Sequence, residues 1–170
     1  KLALDVAQMK GATYADIRII NTKIEDIEVK NGVVEVIKKD VNLGFGIRVI
    51  ADGAWGFASS DKMSKREITR IASLAVKIAK ASAMVAKEKI LLSPLGKFED
   101  VWQTPFTKDP FKISLDKKVS LLLDCDKLMR NVKGVKTARG TMNFRMIEQI
   151  FANTEGSFIE QNFLRSGAGI

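Results

Sequence analysis

From Val41 to Ser60 the chain runs VNLGFGIRVIADGAWGFASS. Asp52-Gly53 divides two apolar runs, and Asp-Gly suits a tight hairpin because both central residues need positive φ. With that pair at the turn, Ile50 faces Trp55, Val49 faces Gly56, Arg48 faces Phe57 and Ile47 faces Ala58. Large residues then meet small ones on one face. On the other, Arg48 lies beside two aromatic rings, where it can make a cation–π contact or anchor a ligand carboxylate. Glycines at 44, 46, 53 and 56 mark backbone that something else approaches closely. A dinucleotide site does not explain them. Val49 stands where the third fingerprint glycine is required, and a strand follows in place of a helix.

Working outward, Tyr14 to Asp40 is also strand territory. Asn31-Gly32 is a second hairpin turn, pairing Val29 with Val34 and Ile27 with Val36. The apolar phase slips between Ile24 and Ile27, which predicts a β-bulge near Glu25-Asp26. With the glycine-rich hairpin this makes a four-strand antiparallel meander. Leu2, Val6 and Met9 precede it at helical spacing, with Gly11 as the C-terminal cap. After it, Ser64-x-x-Glu67 is a capping box. Ile68, Ile71, Ala72, Ala75, Ile78, Ala79 and Ser82 follow on one helical face.

The stretch from Ile90 to Lys112 holds all three prolines and reads as an extended connector. Its Phe98, Trp102, Phe106 and Phe111 are expected to pin it to the body, the alternative being a partner surface. Ser114 opens a third helix striped with Leu115, Val119, Leu122 and Met129, flanked by Leu121, Cys125 and Leu128. Strands return through Met142, Phe144 and Met146, turn at Asn153–Gly156, and come back from Ser157 to Ser166. The tail to Ile170 reads as flexible. Runs of strands with segregated helices predict an α+β fold, with a largely antiparallel sheet of about six to seven strands and three helices packed on it.

Composition narrows the chemistry. The chain of 170 residues has no histidine, so histidine-based acid/base catalysis and His-ligated zinc are outside its reach. Glu25-Asp26 and Glu99-Asp100 are adjacent, so on strands they point to opposite faces and make poor acid/base pairs. The lone Cys125 cannot close an internal disulfide, which favours a reducing, cytoplasmic compartment. No apolar run is long enough to span a bilayer. The net charge of +8 is spread among acidic residues, the pattern of a solvated surface. Nucleic-acid binding is not the expected partner mode. Only Phe144-Arg145 and Phe163-Leu164-Arg165 hint at the interleaving that single-strand binders use.

The order of these features resembles the N-terminal domain of the TldD/PmbA family, once labelled modulators of DNA gyrase and regarded as metallopeptidases. The resemblance rests on Gly11-Ala-x-Tyr-Ala-Asp-Ile-Arg18 and Gly44-Phe-Gly-Ile-Arg-Val49. It rests equally on Asp52-Gly53-Ala-Trp-Gly56-Phe-Ala-Ser59, Lys108-Asp-Pro-Phe111 and Ala152-Asn-Thr-Glu-Gly156. It covers nearly the whole chain. It implies that residues 1–170 are one N-terminal domain of a longer protein, and that the zinc motif, HExxxH with a later ligand, lies C-terminal to this region. In the full protein that zinc would activate a water for peptide hydrolysis. No catalytic or metal-binding residue and no cofactor is therefore expected within this chain. The resemblance also implies homo- or hetero-dimers with a family member, enclosing a chamber that admits unfolded peptide. The residues here expected to touch such a peptide are Arg48, Trp55 and Phe57. The alternative role is a basic module that modulates gyrase or binds DNA without proteolysis.

Overall fold

Asp52 and Gly53 hold φ of 54° and 85°, and Asn31 and Gly32 hold 49° and 81°, so both two-residue turns form as the sequence requires. The computed structural model describes residues 1–170. Helix α1 (Leu2–Met9) leads into β1 (Tyr14–Lys30), β2 (Val33–Ala51) and β3 (Ala54–Ser60). Helix α2 (Lys65–Ala83), the short strand β4 (Glu99–Gln103), a 3-10 turn at Pro110–Lys112, and α3 (Leu115–Arg130) follow. Strands β5 (Arg139–Asn153) and β6 (Phe158–Gly169) close the chain. The fold is α+β, with three α-helices and a mostly antiparallel six-stranded sheet in the order β3-β2-β1-β5-β6-β4. β4 is the parallel exception. The Phe158 amide donates to the Phe98 carbonyl at one end and the Thr104 amide to the Asn162 carbonyl at the other, so both partners advance together. No helix is long and apolar enough to cross a membrane.

The expected register of the β2–β3 hairpin is the observed one: Ile50 opposes Trp55, Val49 Gly56, Arg48 Phe57 and Ile47 Ala58. The four-strand meander is corrected to three strands, because residues 33–51 form one strand of 19 residues without a break at Val41. The buried apolar residues of β1 (Ala15, Ile17, Ile27 and Val29) all share one parity. The predicted slip near Glu25-Asp26 is therefore absent from the burial pattern. Glu25 itself fills an inward position, and the exposed Ile20 lies on the other face. The tail is also corrected, since β6 stays extended through Gly169.

Two compact units make up the chain: residues 1–21, 42–102 and 148–161, and residues 22–41, 103–147 and 162–170. In the first, α1 and α2 bury Ala7, Ile71, Ala72, Ala75, Val76 and Ala79 against Ala15, Phe45, Ile47 and Val49. Val76 takes the place expected of Ile78, which is exposed. Glycine decides how closely α2 docks. A Cβ on Gly56 would lie 2.1 Å from the Ala75 carbonyl oxygen and 2.5 Å from the Ala79 nitrogen. Helix backbone thus sits directly on strand backbone, the close approach that a missing side chain permits.

The second unit packs Leu122 of α3, with Leu115 and Val119, against Ile27, Val29, Met142 and Phe144. Here the predicted stripe is corrected. Leu121 and Leu128 are exposed, whereas Lys118 and Asp126 are buried. The Lys118 Nζ is hydrogen-bonded to Glu25 Oε1 and stands 4.4 Å from the centre of the Phe144 ring, while Lys39 reaches Glu25 Oε2 at 3.0 Å. Burial alone would raise the Glu25 pKa, but the two lysines hold it below the usual carboxylate value. Asp126 sits by the Asn31-Gly32 turn. Burial raises its pKa, and the Arg130 guanidinium with the Gly32 and Asn31 amides brings it below the usual value. The connector aromatics are corrected as well. Phe111 packs on the core, but Phe98, Trp102 and Phe106 are exposed.

Candidate functional site

One helix-covered face of the first unit's strands is spoken for by α2, so the side chains that alternate with it point the other way. Arg48 and Phe57 stand directly opposite on β2 and β3. Their fates differ. The Arg48 guanidinium lies 4.7 Å from the Trp55 ring centre, a cation–π distance. It also grips Asp16 of β1, with Nε at 2.9 Å and a second nitrogen at 2.8 Å from the same carboxylate oxygen. Asp16 is nearly fully buried, with its side chain 3% exposed. Burial opposes the Arg48 charge, yet Asp16 more than compensates and raises its pKa.

Trp55 also meets Tyr14, whose ring lies edge-on to it at 6.0 Å and 88°. Burial, and then the Asp16 carboxylate, push the Tyr14 phenol above its ordinary value. The result is a row of four interlocked side chains, Tyr14, Trp55, Arg48 and Asp16, drawn from three strands. Phe57 is different. It is 57% exposed, and its ring lies against Gly46, where a Cβ would come within 2.8 Å of the ring edge. Gly46 thus serves the ring that rests on it.

Of the three residues expected to meet a ligand, two are therefore braced and one is presented. Arg48 keeps a partly open side chain, but its charge is already answered by Asp16. It suits a fixed donor better than a free anion clamp. Phe57 offers uncovered apolar area. Tyr14 and Asp16 lie in the family-like stretch of residues 11–18 but were not expected at this site. Nothing in the spacing of Asp16 marks it, because its partner is 32 residues away and reaches it only through strand pairing.

Elsewhere, Phe144 is buried and meets Phe111 edge-on at 6.4 Å, so it does not share a surface with Arg145. The aromatic–basic platform suggested for single-stranded nucleic acid loses that member. No group of three or more His, Cys, Asp or Glu side chains is arranged to hold a metal, and Cys125 is a lone thiol. The residues present do not fit a zinc site.

Residues 15–79 match the first domain of the PmbA/TldA metallopeptidases, and residues 108–170 match their central domain. The chain is 29% identical over 152 residues to a metalloprotease of Methanocaldococcus jannaschii, covering 89% of this chain and 34% of that one. It is 26% identical over 155 residues to a metalloprotease of a Synechocystis species, covering 88% and 32%. The chain thus spans about a third of the length of these relatives. The fold is shared with TldE from Thermococcus kodakarensis, at a TM-score of 0.77 and 18% identity, over 97% of this chain and 37% of that one.

Proposed function

Because the chain belongs to the TldD/PmbA family of metallopeptidases, we propose that it is the non-catalytic, substrate-handling part of a zinc-dependent peptidase acting on unfolded peptides. Zinc, where the whole protein binds it, supplies the chemistry of peptide hydrolysis from residues outside this chain. What these residues do is bind and orient. The observation that supports this most is the exposed Phe57 beside a rigid Tyr14–Trp55–Arg48–Asp16 row. A rigid floor loses little entropy on binding, and an uncovered ring gives an extended chain apolar area to cover. β3 is also an edge strand. An extended peptide can add to such an edge by main-chain hydrogen bonds, reading little side-chain sequence. Pairing with a second family member would enclose that peptide in a chamber.

The test is peptide capture by this chain, read as fluorescence anisotropy of a labelled unstructured peptide. Phe57→Ala is expected to weaken capture about tenfold, as befits roughly 1.4 kcal/mol of lost apolar contact, with the melting temperature unchanged. Undiminished capture by that variant removes Phe57 from the site. Zinc-dependent hydrolysis of the peptide by this chain alone overturns the non-catalytic role. A gyrase- or DNA-directed role, the alternative, predicts capture of DNA in place of peptide, falling steeply with salt.

A further inference from the structure

Strands β5 and β6 keep one register along their length. The Asn153 amide donates to the Ser157 carbonyl, and the Gln149 side chain donates to Gln161 at 2.9 Å. A Cβ built on Gly169 falls 3.9 Å from Thr141 Oγ1. Each pair is consistent with the same pairing, and that pairing sets Arg145 directly opposite Arg165. The β1–β5 register follows from Asn31 with Ala138 and Asp26 with Asn143, and it sets Ile24 on the other side of Arg145. These residues share one face, opposite the face that buries Val29 and Met142.

Like charges directly opposite on neighbouring strands destabilise a sheet. Two other strand-borne arginines are answered with carboxylates, Arg48 by Asp16 and Arg139 by Glu28. Arg145 and Arg165 have no such partner. Asp26, which lines the same groove, already accepts from the Asn143 amide at 3.0 Å. Both arginines line an open groove of about 460 Å³ with Ile24, Asp26, Asn143 and Gly167. The groove floor is open at Gly167, where an added Cβ would meet nothing within 4 Å.

We propose that Arg145 and Arg165 form a binding site for one oxyanion, a carboxylate or a phosphate, held between two guanidinium forks. Two arginines against one carboxylate leave a net positive site. Guanidinium forks bind both anions bidentately, which lysine does not. The oxyanion relieves the repulsion that the bare strands carry. The site shares no residue with the Phe57 face and goes beyond the peptide-handling role. Loss of either leaves the other standing.

Three probes test it on the full chain by calorimetry and thermal melting: inorganic phosphate, an unstructured peptide with a free C-terminal carboxylate, and the same peptide amidated. Tighter binding of the free-acid peptide than of the amide, which the Phe57 face alone can still capture, supports a peptide carboxylate as the occupant, and binding of phosphate supports a phosphate group. In either case Arg145→Gln and Arg165→Gln each weaken binding at least about tenfold, while Lys136→Gln leaves it unchanged. Without ligand, each arginine variant melts no lower than the parent, since repulsion is removed. The proposal is overturned if phosphate does not bind and the free-acid peptide binds no more tightly than the amide, or if binding is indifferent to both arginine variants.

Discussion

Glu67 shows how one side chain serves two structural tasks. Its amide is capped by Ser64 Oγ at 3.2 Å, as the capping-box spacing predicts. Its carboxylate does not return to the Ser64 amide, which bonds Lys62 instead. It accepts from Arg70 and from Ser60 Oγ at 2.8 Å, tying the first turn of α2 to the end of β3. These bonds, Arg70 first, lower its pKa from 4.5 to about 2. A lowered folded-state value means that the charged form is favoured by folding. The stability it adds is present above about 4.5 and is lost as the pH falls toward 2. Glu67→Gln is expected to melt lower than the parent at pH 7, with the gap closing across that acid range. A gap that does not change with pH would refute the electrostatic account.

Lys118 makes the matching case for a buried charge. It is 4% exposed and bonded to Glu25, itself 5% exposed. Lys118→Ala leaves Glu25 with Lys39 alone and is expected to cost about 3 kcal/mol, the low end for breaking a buried pair. Replacing both residues, Lys118→Met with Glu25→Met, should recover most of that loss, because well-packed apolar groups substitute for buried ion pairs without penalty. Urea denaturation of both variants decides it. A double variant no more stable than Lys118→Ala means that the pair holds the strand by more than its charge.

At the scale of elements, the β3–α2 contact is governed by one missing side chain. Gly56→Ala would put a Cβ 2.1 Å from the Ala75 carbonyl oxygen, so the helix must lift off the strand. Overpacking of this kind costs about 3 kcal/mol or more, measurable as a lower urea midpoint. Gly44→Ala is the control, since its Cβ would meet the Ser60 carbonyl oxygen at an ordinary 3.4 Å. Equal effects at the two positions would show that the β2–β3 hairpin, rather than the helix, demands glycine. α3 teaches the converse. Its buried positions, Lys118, Leu122 and Asp126, recur every fourth residue, but two of the three are charged. Apolar periodicity finds Leu115, Val119 and Leu122 on the core side but misses Lys118 and Asp126, and its flanking Leu121 and Leu128 are exposed.

At the scale of the whole molecule, the charge of +8 has no single address. Several of its cations are answered locally, Arg48, Arg70, Arg130 and Arg139 among them. The chain is accordingly expected to bind single-stranded DNA only in the non-specific range, with a dissociation constant of about 10⁻⁴ to 10⁻⁶ M at physiological salt. Anisotropy across a salt series measures this. Binding much tighter than that range, and selective among sequences, would move the function toward nucleic acid.

The two hairpins, their turn residues, the β2–β3 register, the three helices and the family were all legible in the sequence. The hairpins, the register and the helices rest on local rules, positive φ at Asn31-Gly32 and Asp52-Gly53 and apolar spacing at 3.6 or 2 residues, whereas the family rests on the resemblance of particular motifs. Arg48, Trp55 and Phe57 were placed together by that same hairpin logic. The tertiary structure alone decided which of them is braced and which is presented. Asp16 finds Arg48 across 32 residues and Lys118 finds Glu25 across 93, through strand pairing and helix docking that no local signal encodes. The same is true of Arg145 and Arg165, which face each other only because β5 and β6 settle into one register. Local sequence determines turns and periodicity, since these depend on φ, ψ and near neighbours. Which charge answers which depends on packing between distant segments, and that is where this protein's buried ion pairs are made.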